Sequence, residues 1–470
     1  MAMIKQAAAC IESGWSLVRP MFALTLFLPL LVVEAACAVE VETGWGSVPA
    51  ILERIQPPRF AERDFAITAY GAVGDGKTDC APAVEKAIGI CSERGGGRVV
   101  VPAGEWLVRG PIHLRSGVNL HVAKGATLRF STAPADYLPV VLTRFEGNEL
   151  MGHSPLIYGR EQANIAITGE GIIDGQASAK NWWEWKASGG KDTAALRKLG
   201  ETDTPAEKRV FGEGHRLRPS FVQFYRCRGV LVEGVTLVNS PMWMLHPVLC
   251  ENVTVHGVTL SSHGPNNDGC NPESCRDVLI EQCTFDNGDD CIAIKSGRGG
   301  DGRRIGVPSE NIVVRNCEMK DGHGGVVLGS EMSGGIRNVF VEDCTMGSPN
   351  LIRAIRMKSN SSRGGYLENL FVRHVRVDQV SEAVVRINLQ YEKDRGEHYP
   401  SVRNIELRNI TSNRSKRPFY LVGLPEAKIT GVVVEDCMFR NVSQPSVFEY
   451  VEDLRLRDFR LLPDEGLDDD

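Results

Sequence analysis

Arg228–Leu237 (RGVLVEGVTL) is one copy of a ten-residue phrase that recurs through the second half of the chain. Each copy begins with a polar or charged residue, usually followed by Asn, Asp or Gly. Alternating aliphatic residues come next, then two polar residues and a residue of a kind that is usually buried. The other copies are Glu251–Leu260 (ENVTVHGVTL), Arg276–Phe285 (RDVLIEQCTF), Glu310–Met319 (ENIVVRNCEM), Arg337–Met346 (RNVFVEDCTM), Glu368–Val377 (ENLFVRHVRV), Arg403–Ser412 (RNIELRNITS) and Thr430–Phe439 (TGVVVEDCMF).

The spacing and the internal period of these copies predict the fold. Successive copies start 23 to 35 residues apart, which is the spacing of stacked repeat units. Within a copy the apolar period is two and Val, Ile and Thr are frequent, which is typical of strands joined by tight turns. We therefore predict an all-β fold, a single-stranded right-handed parallel β-helix in which each coil adds about 4.8 Å. The alternative leucine-rich solenoid would need a Leu-x-x-Leu-x-Leu unit, and the copies do not contain one.

Four cysteines occupy the eighth position of their copies, where other copies carry Val or Ile. We expect Cys283, Cys317, Cys344 and Cys437 to stack inside the helix as small apolar side chains. Disulfides along this column are allowed by the spacing but are not required.

The segment before the repeats predicts a cap. Tyr70–Asp79 (YGAVGDGKTD) is a Gly-rich loop that precedes a short amphipathic helix, roughly Cys80–Arg94. A loop followed by a helix resembles a phosphate cradle, but the Walker pattern is missing. A helix that covers the open end of the solenoid explains the segment better.

The domain organisation follows from the repeats. A length of 470 residues alone suggests about three domains. The repeats predict one solenoid instead, with a lead-in, capping helix and first coils at 39–135, the main β-helix at 136–455 and an acidic tail at 456–470.

Residues 1–38 are interpreted as an export signal. Lys5 and Arg19 are followed by the apolar run Met21–Val33 and by a small-x-small site at Ala36–Ala38. The run is too short to span a membrane. A buried helix is the alternative, and a lipid anchor on Cys37 fits poorly after Glu34. The sequence therefore predicts a secreted or periplasmic, soluble protein without a membrane partner.

The charge of the chain excludes one class of partner. A formal net charge of -6 disfavours a general nucleic-acid binder. Taken alone, this charge disfavours an acidic substrate as well, but five acids lie in the tail at 464–470. Without that tail, 54 acidic residues face 53 basic ones, so the net charge decides nothing about the substrate.

Four short motifs interrupt the repeat pattern, each just past a strand. They are Gly264–Gly269 (GPNNDG), Asn287–Asp290 (NGDD), Asp321–Gly324 (DGHG) and Arg356–Lys358 (RMK). Asp289 lies six residues beyond Cys283, and His323 lies six residues beyond Cys317. Their side chains should therefore stack one strand spacing apart, with Asp268 on one side and the basic pair on the other.

This set of residues predicts acid–base chemistry on an acidic sugar polymer. Close carboxylates raise one another's pKa, so one can stay protonated as a general acid while another activates water. Arg356 and Lys358 match a carboxylate on the substrate, which indicates a uronic-acid polymer. Two alternatives stay open at this point: each motif alone is ordinary turn chemistry, and Asp289 with Asp290 could be calcium ligands.

The ordered motifs NNDG, GDDC, GHG and RMK resemble the signature of glycoside hydrolase family 28, the polygalacturonases, whose usual forms are NTDG, G/QDDC, G/SGHG and RIK. The loop at Tyr70–Asp79 and Asp174-Gly175-Gln176 with Trp182 and Trp183 also resemble bacterial and plant members. The likeness covers roughly residues 65–450. Asn267 and Met357 depart from the usual forms at positions without a catalytic role.

The resemblance implies a role for each site residue. Asp289 would protonate the leaving oxygen, Asp268 and Asp290 would activate water for inversion, and His323 would tune the acid. The candidate substrate-binding residues are Arg356, Lys358, Asn266 and Tyr391, and neither a cofactor nor a metal is implied. Arg298, Arg303 and Arg304 could meet further carboxylates or lie in a solvated loop. Trp182, Trp183 and Trp185 could stack on sugars or pack against the protein.

The resemblance therefore implies a secreted, monomeric, exo-acting polygalacturonase that cleaves α-1,4-galacturonosyl bonds of pectin. Endo action, a rhamnogalacturonan hydrolase, a lyase and a non-catalytic carbohydrate-binding β-helix are the alternatives. A lyase would use calcium and a basic residue, and a binding protein would have no need for the complete set of acids.

Overall fold

The structure, a computed structural model, describes residues 44–202 and 204–463. The predicted export signal at 1–38 and the acidic end at 464–470 lie outside these residues. The predicted boundaries at 135/136 and 455/456 stay predictions. A 3-10 helix, Pro134–Tyr137, spans the first of them, and the strand Val451–Arg457 spans the second.

The repeated phrase folds as two consecutive strands of one coil. In the copy that begins at Arg228, a longer strand, Arg228–Glu233, is followed after a two-residue turn by a shorter one, Thr236–Val238. Both pair in parallel with the same positions of the next coil. One column of paired residues, at the third position of the phrase, runs through Val230, Val253, Val278, Ile312, Val339, Leu370, Ile405 and Val432. The predicted parallel β-helix is confirmed.

These paired strands form a 24-stranded sheet, here called the phrase sheet. Its strands are Asp64–Ala66, Asp75–Asp79, Gly97–Val101, Gly104–Val108, Val118–Val122, Ala126–Phe130, Ala163–Gly169, Ile172–Asp174, Arg228–Glu233, Thr236–Val238, Glu251–His256, Thr259–Ser262, Arg276–Glu281, Thr284–Asn287, Ser309–Arg315, Glu318–Met319, Ile336–Glu342, Thr345–Met346, Tyr366–Gln379, Ser401–Arg414, Ile429–Glu435, Met438–Val442, Val451–Arg457 and Arg460–Pro463.

A second set of parallel strands, here called the site sheet, completes each coil. Its two parts of four and six strands are joined by isolated bridges at Cys270 and Glu273. The strands are Ile112–His113, Ile157–Arg160, Val222–Tyr225, Leu245–Val248, Ile292–Ile294, Val326–Gly329, Arg353–Lys358, Ala383–Asn388, Arg417–Val422 and Val447–Glu449.

The backbone conformation explains the polar residues of the phrase. The second and seventh positions have positive φ, for example 55° at Asn338 and 53° at Asp343. This left-handed region is costly for most residues and is open to Gly, Asn and Asp. The second position therefore carries Asn, Asp or Gly in every copy, and the seventh position does so in every copy except those with Gln282 and His374.

The second-position side chains also bond to one another along the axis. Asn338 Nδ2 donates to Asn311 Oδ1 at 3.0 Å, and Asn369 Nδ2 donates to Asn338 Oδ1 at 2.8 Å. The ladder continues at Asn404, which donates to Asn369 at 2.7 Å. Each amide thus fixes the register of the neighbouring coil.

Apolar side chains from both sheets fill the inside of the coils. The four eighth-position cysteines are buried there, as predicted. All eleven cysteines in the described residues are unpaired thiols.

The predicted capping helix is Ala81–Glu93, and its apolar face joins the core of the first coils through Val84 and Ile88. The other α-helices are Val48–Arg54, Trp185–Ser188, Gly190–Gly200 and Gly299–Ile305, and short 3-10 helices lie at Gly44–Ser47, Ile67–Tyr70, Pro134–Tyr137, Trp182–Glu184, Ala206–Lys208 and Tyr391–Lys393. None of the described helices combines the length and apolar character needed to span a membrane.

Three segments lie outside the repeat pattern. A β-hairpin of Val141–Phe145 and Asn148–Gly152 takes Val210–Phe211 as a third strand. The helical insertion is 178–209, and the short loop around the helix Gly299–Ile305 is the third segment.

The Asn ladder predicts that Asn338→Ala lowers the free energy of unfolding by about 2 kcal/mol, because it removes two side-chain hydrogen bonds and because Ala tolerates positive φ less well than Asn. Asn338→Gly is the matched control, since it removes the same bonds but accepts the backbone angle. Urea unfolding should rank the wild type above Gly and Gly above Ala. An Ala variant as stable as the Gly variant would contradict the account.

Candidate active site

The turns that lead into successive strands of the site sheet position the acids. Asp268 precedes the bridge residue Cys270, and Asp289 and Asp290 precede the strand Ile292–Ile294. Gly269 N donates to the carbonyl of Asp290 at 2.9 Å, so the two acidic turns lie on adjacent coils. Carboxylate oxygens of the three Asp residues lie within 4.8 Å of one another. The structure therefore brings together the three acids that the sequence predicted.

His323 lies beside Asp289 on the next coil, as the count from the cysteine column predicted. Its backbone N–H donates to the Asp289 carbonyl at 3.0 Å, and its Nδ1 lies 2.9 Å from Asp289 Oδ1. The hydrogen bond to this carboxylate raises the pKa of His323, although partial burial opposes the shift. The Asp289 side chain is 16% exposed, against 4% for Asp268 and 1% for Asp290. Of the three acids, Asp289 is the one a substrate can reach most easily.

Asp290 is held by the two predicted basic residues. Lys358 Nζ donates to Asp290 Oδ2 at 2.7 Å, and Arg356 Nη1 donates to Oδ1 at 3.2 Å. Burial alone would raise the pKa of Asp290, but these cations together with Lys295 hold it well below its usual range. These contacts therefore favour the ionised form of Asp290.

Asp268 has the opposite electrostatic environment. Burial and the nearby charge of Asp289 raise its pKa well above the usual range, while Lys295 opposes the shift from 3.4 Å. Two buried carboxylates at one site thus have pKa values pushed in opposite directions. Asp268 is therefore suited to take up a proton, whereas Asp290 is held in its ionised form.

The cationic side chains that already contact the acids argue against a metal ion at this site. Three carboxylate oxygens at this spacing have the chemistry of a calcium or magnesium site. However, Lys358, Arg356 and Lys295 already supply cationic partners to Asp290 and Asp268. A divalent cation would have to share this space with three positive charges, so we assign no metal here.

The acids lie in a cavity of about 570 Å³ with the remaining candidate residues. Asn266 and Tyr391 line it, as do Arg356 and Lys358. Asn266 Oδ1 accepts a hydrogen bond from Arg218 at 2.7 Å. The ring centroid of Tyr391 lies 5.8 Å from Arg356 Cζ and 5.6 Å from Lys358 Nζ. Another cavity, of about 600 Å³, lies beside the capping helix, and none of the predicted site residues lines it.

The hairpin covers the outer face of the site sheet on the coils that precede the acids. Thr143 Oγ1 donates to Gln223 Oε1 at 2.7 Å, and the hydroxyl of Tyr158 donates to the Leu142 carbonyl at 2.5 Å. Gln223 and Tyr158 belong to strands of that sheet. The hairpin therefore occupies the face of the sheet on this side of the acids.

Buried ion pairs fix the hairpin to the solenoid and to its neighbouring segments. Arg144 Nη1 lies 3.1 Å from Glu273 Oε1, and both side chains are fully buried. Arg209, just before the third strand, donates to Asp301 of the short loop at 3.0 Å. Breaking such a buried pair leaves an uncompensated charge and costs about 3–5 kcal/mol. The hairpin, the insertion and the loop therefore form one fixed wall.

The wall contributes charged residues to the cavity. These are Glu146, Lys186, Arg197 and Arg298. Of the three arginines that the sequence suggested, Arg298 lies here. Arg303 instead contacts Ser362, Arg363 and Glu201, and Arg304 pairs with Asp301.

The suggested tryptophans pack rather than line the cavity. Trp182 is fully buried against Tyr137 and Trp185, and Trp183 Nε1 donates to the Ser240 carbonyl at 2.8 Å. Trp243, which the sequence did not suggest, does line the cavity.

The sequence also missed Lys295 and Glu331. Lys295 follows the apolar residues Ile292–Ile294, and a charge at the end of an apolar strand was the available signal. Glu331 carried no signal, because it lies in a turn among ordinary polar residues.

The contact between His323 and Asp289 predicts a pKa change. Asp289→Asn removes the negative partner, so the pKa of His323 should fall. Asp286→Asn is the matched control, because Asp286 pairs in the same way with another histidine, His263, at 2.9 Å. NMR titration of the labelled imidazoles measures the pKa of His323 in both variants, and only Asp289→Asn should lower it. An unchanged pKa of His323 in the Asp289→Asn variant would contradict the observed contact.

Comparison with known proteins places the chain in a family. Residues 91–451 match the family model described as glycosyl hydrolases family 28. A probable polygalacturonase of Vitis vinifera is 31% identical over 388 residues, covering 79% of this chain and 73% of the relative. The solved structure of a hyperthermoactive exopolygalacturonase from Thermotoga maritima is 45% identical, with a TM-score of 0.87, covering 90% of this chain and 96% of that one.

A more distant structure, the family 28 exopolygalacturonase of Yersinia enterocolitica, has a TM-score of 0.69 at 23% identity, covering 86% of this chain and 78% of that one. At this identity the likeness speaks for the fold alone. The family model and the two closer relatives confirm the resemblance carried by the four motifs. The chain belongs to glycosyl hydrolases family 28.

Proposed function

We propose that the protein is an exo-acting polygalacturonase, which hydrolyses α-1,4-galacturonosyl bonds of polygalacturonate by acid–base catalysis. The observation that carries the proposal is the division of the three clustered acids. Asp290 is locked in its ionised form between Lys358 and Arg356, Asp268 is buried with a raised pKa, and Asp289 is the accessible one.

The proposed reaction assigns one step to each acid. In the form of the enzyme that reacts, the proton shared between His323 and Asp289 lies on Asp289, which gives it to the glycosidic oxygen as the bond to the anomeric carbon breaks. A water molecule held between Asp268 and Asp290 attacks that carbon and passes a proton to Asp268, whose raised pKa suits it to accept one. Asp290 stays ionised and orients the water, and His323 holds Asp289 in place.

The spacing of the acids does not by itself indicate inversion. Oxygens within 4.8 Å are closer than the carboxyl groups of most inverting enzymes, about 6.5–9.5 Å apart, and nearer the retaining value of about 5–5.5 Å. A retaining enzyme needs a carboxylate free to bond to the anomeric carbon. Asp290 is held by two cations and has a lowered pKa, so it is a weak nucleophile, and this favours attack by water.

The substrate class is supported by the cations of the cavity. Arg356 and Lys358 lie beside the acids and are buried enough to strengthen their attraction for a carboxylate. The Tyr391 ring packs over both and offers a surface for a sugar ring. We propose that the galacturonate carboxylate binds here.

Exo action is supported by the wall. The hairpin covers the sheet upstream of the acids, so a polymer cannot continue past them on that side. Arg197, Lys186 and Arg298 at this closed end suit the carboxylate of a terminal sugar. The 45% identical relative is itself described as an exopolygalacturonase. We further propose that the protein is exported by residues 1–38 and acts as a monomer.

Product analysis on polygalacturonate tests the proposal. We expect galacturonate monomer as the first and main product, because the wall covers the sheet directly upstream of the acids. Dimer would place the wall one subsite further away, and mixed oligomers would contradict exo action. Unsaturated products that absorb in the ultraviolet would establish a lyase, and activity confined to a rhamnogalacturonan backbone would overturn the substrate.

Asp289→Asn should reduce kcat by about 10³-fold, since the leaving oxygen then has no proton donor. Asp286→Asn, which changes an Asp on the adjacent strand to the same amide, should keep wild-type turnover. Equal turnover in both variants would favour a protein in which these acids only bind carbohydrate.

A further inference from the structure

Lys295 is a buried cation that has no role in the proposed reaction steps. It ends the strand Ile292–Ile294, and its side chain is 3% exposed. Its Nζ lies 3.4 Å from Asp268 Oδ2, 3.2 Å from Glu331 Oε2 and 4.4 Å from the centroid of the Trp243 ring. A lysine in such a place loses its hydration, so these three neighbours must replace it.

Each of the three acids has its own cationic or imidazole partner. Asp290 has Lys358 and Arg356, and Asp289 has His323. Lys295 contacts Asp268, the acid that accepts the water's proton in the proposed reaction. The partner of the base is therefore a lysine with a fixed position.

Glu331 fixes that position from the other side. Its Oε2 accepts from Lys295, while its Oε1 accepts from Ser330 Oγ at 3.0 Å and lies 3.6 Å from Arg298 Nη1. Burial opposes the charge of Glu331, but Lys295, Arg363 and Arg298 hold its pKa low. Glu331 is thus an ionised anchor, and through Arg298 it also contacts the wall.

We propose that Lys295, anchored by Glu331, is a positioning residue that orients the carboxylate of Asp268 and keeps it ionised until it takes a proton from the attacking water. This inference rests on the proposed function, because it assigns Asp268 as the base. Lys295 acts through Asp268 and is not itself a catalytic residue.

The charges around both groups set the sign of the expected effects. Asp268 faces Asp289, Asp290, Lys295 and Lys358, with the buried Arg218 nearby. Lys295 faces Asp268, Asp290 and Glu331, with His246 on its far side. Although burial disfavours its charge, the three acids raise the pKa of Lys295, so it stays protonated. Removing Lys295 therefore raises the pKa of Asp268, whereas removing the charge of Glu331 lowers it.

The test compares the pH dependence of kcat/KM in three variants. The acidic limb of this profile reports the ionisation of the base in the free enzyme, because Asp290 titrates far below it. Lys295→Met should move this limb to higher pH by about one pH unit or more, and Glu331→Gln should move it to lower pH. Lys295→Arg, which keeps the charge, should return the limb close to that of the wild type.

Opposite displacements are the decisive result, since a general loss of structure would not move the limb in two directions. Limbs that stay fixed in both variants, or move the same way, would overturn the proposal. Circular dichroism and Tm check folding, and if Lys295→Met does not fold, Glu331→Gln and Lys295→Arg still decide the question. Wild-type activity on polygalacturonate is measured in parallel. Its absence would refute the proposed function, whereas an active wild type without these displacements would refute this inference alone.

Discussion

The register between successive coils is the constraint on which the rest of the structure depends. Parallel pairing puts equivalent residues of neighbouring coils one strand spacing apart, and the positive φ values at the two turn positions of the phrase keep the coils in phase. Because of this register, residues more than 30 positions apart in sequence, such as Asp289 and His323, come within hydrogen-bonding distance. The site is thus built across coils, and each coil contributes one or two functional side chains.

The site then depends on how charge is distributed over three acids that would otherwise repel one another. Cations on the site sheet hold Asp290 ionised, Lys295 partly balances the burial of Asp268, and the imidazole of His323 bonds to Asp289. Each acid therefore differs from the other two in its partner and in its exposure. The wall covers the sheet upstream of the acids and so limits where a polymer can lie.

The sequence predicts those features of the fold and the site that lie within the repeated phrase or at a fixed distance from it. The β-helix, the cysteine column and the contact between Asp289 and His323 all follow from counting positions within a periodic phrase. The anchor formed by Lys295 and Glu331 lies just past neighbouring strands of the site sheet, which the ten-residue phrase does not include. The pair of Arg144 with Glu273 joins the solenoid to a hairpin that occurs once, so no period relates their positions. For the same reason the sequence left open whether Trp182 stacks on a sugar or packs, and the structure packs it against Tyr137. Three-dimensional packing of the non-repeating wall decides these contacts.

The central claim is that water, activated by Asp268 and Asp290, attacks the anomeric carbon while Asp289 protonates the leaving oxygen. The stereochemistry of the first product tests this claim most directly. Proton NMR during hydrolysis of polygalacturonate, before mutarotation, should show the β-anomer of the released sugar, because a single displacement inverts the α-linkage. Initial appearance of the α-anomer would mean that one of the acids acts as a covalent nucleophile, and it would contradict the account.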